Sequence, residues 1–64
     1  MVKINGKDFD VAGKTLEEYL ATTDYDIRTI AVECNEEIVP KLKYSEKVLQ
    51  DGDTVEVVSF VGGG

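Results

Sequence analysis

A chain of 64 residues has material for one domain with a thin core, since a domain of that size buries only about 60% of its unfolded surface. Such a core leaves little room for a substrate cleft of roughly 300 Å³ or more, which argues against an enzyme. The net charge of −6, from 13 acidic and 7 basic side chains, argues against nucleic acid and membranes as partners and favours a basic docking face, or serves solubility alone.

Val2 and Ile4 alternate with Lys3 and Asn5, the period of a half-buried strand. Asn5 and Gly6 both tolerate positive φ and signal a tight turn. Phe9 and Val11 then alternate with Asp8 and Asp10 as a second strand, broken by Gly13 and Lys14. Thr15-Leu16-Glu17-Glu18 fits a capping box, in which the Thr15 hydroxyl accepts from the Glu18 N–H while the Glu18 carboxylate reaches back. Leu16, Tyr19, Leu20 and Thr23 recur at helical spacing. They predict about two and a half turns of helix with one face inward, fading over residues 23–26.

Ile30 and Val32 alternate with Thr29, Ala31 and Glu33 as a third strand. Asn35, Glu36 and Glu37 turn the chain into a short strand at Ile38 and Val39, stopped by Pro40, whose missing N–H suits an edge or an end. Residues 41–47 are polar and read as a loop with one helical turn. Val48 and Leu49 lead into the turn Asp51-Gly52-Asp53. Residues 54–61, with Val55, Val57, Val58, Phe60 and Val61, are the most β-prone stretch. The order β-β-α-β-β-β is that of an α+β domain, a mixed sheet of four to five strands with one main helix packed on one face. Pairing the last strand parallel to the first, with the helix inside the crossover, centres the two most apolar strands. The domain spans residues 1–61 and leaves 62–64 as a flexible glycine tail.

Three side chains without bulk give Gly62, Gly63 and Gly64 a reach of roughly 10 Å when extended. Such a thread enters a channel too narrow for any other residue, and suits delivery of a terminal carboxyl group to another protein's active site. A carboxylate is a poor electrophile, and a mixed anhydride with AMP opens it to sulfur or an amine. Composition alone also fits a frayed end or a cloning scar.

Alternation along the last strand places Val55 and Val57 on one face, Val58 and Phe60 on the other. Exposed beside the tail, Val58 and Phe60 are candidates for partner docking; the competing reading folds Phe60 over the sheet edge. Cys34 shares the phase of Ile30 and Val32, and so points inward as a small apolar residue. The chain has no histidine, so no Cys–His pair exists. Asp51 and Asp53, like Glu36 and Glu37, fit turns better than a metal site, and no metal is expected. A single cysteine, no apolar leader and no run near the roughly 20 apolar residues of a membrane span together predict a cytoplasmic setting.

The glycine ending, the strand opening at Val2, the single helix and the late strand pair resemble the β-grasp (ubiquitin-like) sulfur carriers. Ile38-Val39-Pro40, Leu49-Gln50-Asp51-Gly52-Asp53 and Phe60-Val61-Gly62-Gly63-Gly64 are similar, in that order, to the thiamine-biosynthesis sulfur carriers. The resemblance runs the whole chain and implies a co-substrate rather than a catalyst, with no cofactor of its own. A ubiquitin-activating-like adenylyltransferase would adenylate the Gly64 carboxylate with ATP and magnesium. Sulfur drawn from cysteine, by a donor such as a cysteine desulfurase, would convert it to a thiocarboxylate, and thiazole synthase would take that sulfur into the thiazole ring. Gly63 and Gly64 match the family's terminal pair, while Gly62 stands where members carry alanine or glycine. The alternatives are a molybdopterin synthase small subunit, a ubiquitin-like modifier that forms isopeptide bonds, and a plain interaction module.

Overall fold

Two asparagine-led turns organise the sheet. The computed structural model describes residues 1–60. Asn5 (φ 50°) and Gly6 (φ 85°) form a two-residue hairpin turn between β1 (Val2–Ile4) and β2 (Lys7–Phe9), closing on Ile4 opposite Lys7. Asn35 (φ 53°) and Glu36 (φ 70°) do the same between β3 (Ile30–Cys34) and β4 (Glu37–Ile38), closing on Cys34 opposite Glu37. Strand β5 (Thr54–Ser59) enters between the hairpins, parallel to β1 and antiparallel to β3, in the order β2-β1-β5-β3-β4. The expected mixed sheet, the parallel pairing and a central last strand are all present.

Helix α1 (Leu16–Leu20) packs on one face and begins with the expected capping box. The Glu18 N–H donates to Thr15 Oγ1 (3.1 Å), and the Thr15 N–H donates to Glu18 Oε1 (2.8 Å). The Leu16 and Glu17 N–H groups donate to the carbonyls of Lys47 (2.7 Å) and Tyr44 (2.9 Å). Every first-turn donor therefore has an acceptor, and the helix start is tied to the 44–49 segment. Leu16, Tyr19 and Leu20 join Val2, Ile4, Val32 and Val55 in the core, and Tyr19 meets Phe9 edge to face at 5.8 Å between ring centres.

Three expectations need correction. Helix α1 is five residues long and does not continue to Thr23. The Thr22 and Thr23 hydroxyls donate to the Tyr19 and Leu20 carbonyls (2.6 and 2.7 Å), and their N–H groups bond the same oxygens (both 3.0 Å). These three-residue closures tighten the last turn and end the α ladder. Strand β2 stops at Phe9, because the Val11 carbonyl accepts from Lys14 N–H (3.1 Å) in a turn that delivers the Gly13 N–H to Leu49 O (2.7 Å). Residues 41–47 do hold the expected helical turn, a 3-10 turn at Lys41–Lys43, but they also bury Tyr44 in the core. A second 3-10 turn, Ile27–Thr29, was not foreseen; Asp26 caps it by accepting from Arg28 N–H (3.0 Å).

Candidate functional site

Strand β5 is the last strand before the glycine ending in the chain, and it is anchored from both sides. On one side β3 pairs with it from Cys34 opposite Val55 to Ile30 opposite Ser59, and the Phe60 N–H continues the ladder to Thr29 O (2.7 Å). On the other side β1 accompanies β5 only as far as Ile4 opposite Val55, and the Asn5 N–H adds a bond to Val55 O (2.9 Å). Beyond that point the Asn5 side chain substitutes for the strand. Its Oδ1 accepts from Val57 N–H (2.8 Å), and its Nδ2 donates to Val57 O (3.2 Å) and to the Tyr25 hydroxyl (3.3 Å).

Asn35 does the matching work at the start of β5. Its Oδ1 accepts from Thr54 N–H (3.0 Å), its own N–H donates to Thr54 O (2.7 Å), and its Nδ2 donates to Asp53 Oδ1 (3.0 Å). The sequence marks Asn5 by its tolerance of positive φ and Asn35 only as a turn residue, and does not show that each amide reaches across to β5. The only signal was the pairing of asparagine with a two-residue turn next to the central strand.

Val55 and Val57 are buried toward α1, while Val58 is 52% and Phe60 62% exposed, as the alternation predicts. Phe60 therefore does not fold away over the edge. Ala31 lies directly opposite Val58. Ile38, opposite Glu33, joins the same face and is 71% exposed, a residue the sequence reading assigned only to a strand. Gly62, Gly63 and Gly64 lie outside the described residues, as does the expected boundary between residues 1–61 and 62–64.

The other candidates reduce to structure. Cys34 is buried among core residues; burial, with the Asp53 carboxylate beside it, pushes its thiol up and keeps it protonated near neutrality. Burial pushes Asp53 up as well, but hydrogen bonds from Asn35 and the Gln50 N–H prevail and hold its carboxyl below the usual range. Both Asp53 oxygens are thus occupied, and Asp51 meets the Met1 amino group. No group of three or more His, Cys, Asp or Glu side chains has metal-binding geometry among the described residues. The surface carries hollows of about 310 and 370 Å³, more volume than the thin core led us to expect, but they are wide-mouthed. The lining of the first includes Cys34, Ile38, Pro40 and Lys43, that of the second Glu33, Glu36 and Glu56. No helix among the described residues is long and apolar enough to cross a membrane.

A five-stranded mixed sheet with β1 and β5 parallel at its middle, one helix across one face and the last strand leading to a glycine ending, defines a ubiquitin-like β-grasp domain. The sequence profile of the ThiS family matches residues 2–64, and the chain belongs to that family. A sulfur carrier protein ThiS of Thermus thermophilus is 41% identical over 64 residues, covering all of both chains. A thiazole synthase of Paramagnetospirillum magneticum is 45% identical over 62 residues, 95% of this chain but 19% of that protein, so the chain spans about a fifth of that relative. The crystal structure of the thiamine biosynthesis protein ThiS of Geobacter metallireducens matches with a TM-score of 0.78 at 30% identity, covering 98% of this chain and 97% of that one.

Proposed function

We propose that this chain is a sulfur carrier protein of thiamine biosynthesis, a co-substrate that is turned over at Gly64. The observation that carries the reading is the extent of the family match, which runs through the glycine ending to residue 64 rather than covering the folded body alone. The full-length likeness to the Thermus thermophilus carrier supports it.

In this reading a ubiquitin-activating-like adenylyltransferase, using ATP and magnesium, joins the Gly64 carboxylate to AMP and releases pyrophosphate. Sulfur originating from cysteine, carried as the persulfide of a donor such as a cysteine desulfurase, displaces AMP to give an acyl disulfide, which a thiol reductant cleaves to the thiocarboxylate with release of a disulfide. Thiazole synthase then accepts that sulfur. The presence of a segment like this chain within a thiazole synthase of Paramagnetospirillum magneticum supports that acceptor. The domain's own part is presentation. Strand β5, held by Asn5, Asn35 and the β3 ladder, is the firm element that precedes Gly62, Gly63 and Gly64 in the chain, and the exposed Val58 and Phe60 dock the enzymes that act on Gly64. In this reading the work is done in the cytoplasm.

Intact mass after incubation with extract of the source cells, ATP, magnesium and cysteine tests the reading. The expected result is a gain equal to the replacement of one oxygen by sulfur, absent when Gly64 is deleted. A larger, amide-linked species in its place would make the chain a modifier, and no change in an active extract would leave it an interaction module.

A further inference from the structure

The first hairpin turn sets an asparagine directly before a glycine, both exposed, and that pair has a chemistry of its own. The backbone nitrogen that follows an asparagine is a nucleophile within reach of the side-chain carbonyl carbon. Glycine, with no side chain, leaves that nitrogen unshielded. At Gly6 a Cβ would meet nothing within 4 Å, and among the described residues no hydrogen bond engages the Gly6 N–H. Water and base therefore reach the Asn5-Gly6 peptide from solvent.

What opposes the reaction is that the Asn5 amide is already engaged. Attack requires Cγ to lie over the Gly6 nitrogen, at roughly 3–3.5 Å and correctly aligned. Instead the amide is spread against β5: Oδ1 accepts from Val57 N–H (2.8 Å), and Nδ2 donates to Val57 O (3.2 Å) and to the Tyr25 hydroxyl (3.3 Å). Turning Cγ toward Gly6 breaks all three bonds. Asn35 is the internal contrast. Its amide is held in the same way by Thr54 and Asp53, but the nitrogen that follows belongs to Glu36, whose side chain shields it.

We infer that Asn5 is a site of spontaneous deamidation whose rate is set by opening of the Asn5–Val57 amide pair. In the open state the Gly6 nitrogen bonds to Asn5 Cγ and loses its proton to solvent base, while Nδ2 takes up a proton and leaves as ammonia. The product is a cyclic imide, and water then adds to either of its carbonyls. Cleavage of the Cγ–N bond leaves an aspartate at position 5; cleavage of the other C–N bond leaves an isoaspartyl link that routes the backbone through the side chain. Neither product restores the pair. A carboxylate has no N–H for the Val57 carbonyl, and the isoaspartyl link adds a methylene to a two-residue turn that closes on Ile4 opposite Lys7. The modification records the time that the pair spends open, and makes the opening permanent.

Intact mass and peptide mapping follow the exchange of one amide NH2 for OH in the purified protein at mildly alkaline pH, folded and in guanidinium chloride. Unfolded, Asn5 should react and Asn35 should lag far behind. Folded, the Asn5 reaction should be at least about tenfold slower, the factor that two or three hydrogen bonds supply. Tyr25→Phe keeps the ring and removes one of the three partners, so it should speed the folded reaction about threefold and leave the unfolded rate unchanged. Amide exchange at Val57 should quicken by the same factor, since both processes pass through the same local opening. Asn5→Asp, the product with an ordinary backbone, should quicken Val57 exchange further and lower the melting temperature. Equal Asn5 rates folded and unfolded would show that the pair does not guard the residue, and an unreactive Asn5 in the unfolded chain would remove the site; either overturns the inference. A folded rate indifferent to Tyr25→Phe, or wild-type Val57 exchange in Asn5→Asp, overturns it as well.

Discussion

The side-chain amide of Asn5 bonds both backbone polar groups of Val57, accepting from its N–H at 2.8 Å and donating to its carbonyl at 3.2 Å. A turn residue thereby acts as one more rung of the central strand pair, two residues past the point where β1 has left. Without it, the Val57 N–H and C=O would lack protein partners on the side facing β1, just where β5 approaches the glycine ending.

Asn5→Gly isolates that contribution, because glycine accepts the positive φ of 50° without strain. The loss should be about 1–2 kcal/mol for two part-buried hydrogen bonds. Urea unfolding gives the stability, and amide exchange at Val57 gives the location: faster exchange there, with the Val32 and Ile30 amides changed only in line with global stability, is the expected pattern. Asn5→Ala should cost roughly 1 kcal/mol more, since alanine must also bear the left-handed backbone.

Glu36 offers the reverse case. It holds φ 70° at the second turn position, where Gly6 stands in the other hairpin, and it takes part in no ion pair among those described. Glu36→Gly should therefore stabilise the protein by about 1 kcal/mol through relief of left-handed strain, set against glycine's greater freedom when unfolded. A higher urea midpoint at unchanged slope is the expected reading; a lower midpoint would mean that the glutamate side chain makes a stabilising contact.

Much of this fold was legible because it rests on short-range patterns. The alternation in Val2–Ile4 and Ile30–Cys34, the Thr15–Glu18 box and the phase that turns Val58 and Phe60 outward each need only a few neighbouring residues to be read. What escaped depends on distant partners. Tyr44 looked like part of a polar loop, yet it fills the core and its carbonyl accepts from the helix start. The helix looked longer because Thr23 continues its spacing, and nothing in that spacing shows the two threonine hydroxyls competing for the final carbonyls. The asparagine amides of the two hairpins are visible only once β5 has been placed between them.

Phe60→Ala separates docking from folding. Phe60 is 62% exposed and contributes little to the core, so its truncation should move the melting temperature by no more than about 3 °C. Under the proposed function it should slow thiocarboxylate formation at least about tenfold at low carrier concentration. Equal losses in the two measurements would return Phe60 to a packing role.

Cys34 is the most tempting residue for sulfur chemistry and the one whose surroundings speak against it. Burial, then the neighbouring Asp53 carboxylate, raise its pKa in the folded state. A group whose folded pKa is raised contributes its stabilisation in full below the unfolded pKa and loses it as pH rises through the folded value. Stability should thus be flat in this term at neutrality and begin to fall above about pH 8.5, with Tyr19 and Tyr44, also raised by burial, adding to the fall above about pH 10. Cys34→Ala removes the first decline and leaves the second, which urea midpoints between pH 7 and 11 resolve. The same variant should form thiocarboxylate fully under conditions where it stays folded, because a protonated thiol on the core side of β3 is neither exposed nor nucleophilic. Loss of conversion in folded Cys34→Ala protein would instead put that thiol on the sulfur route.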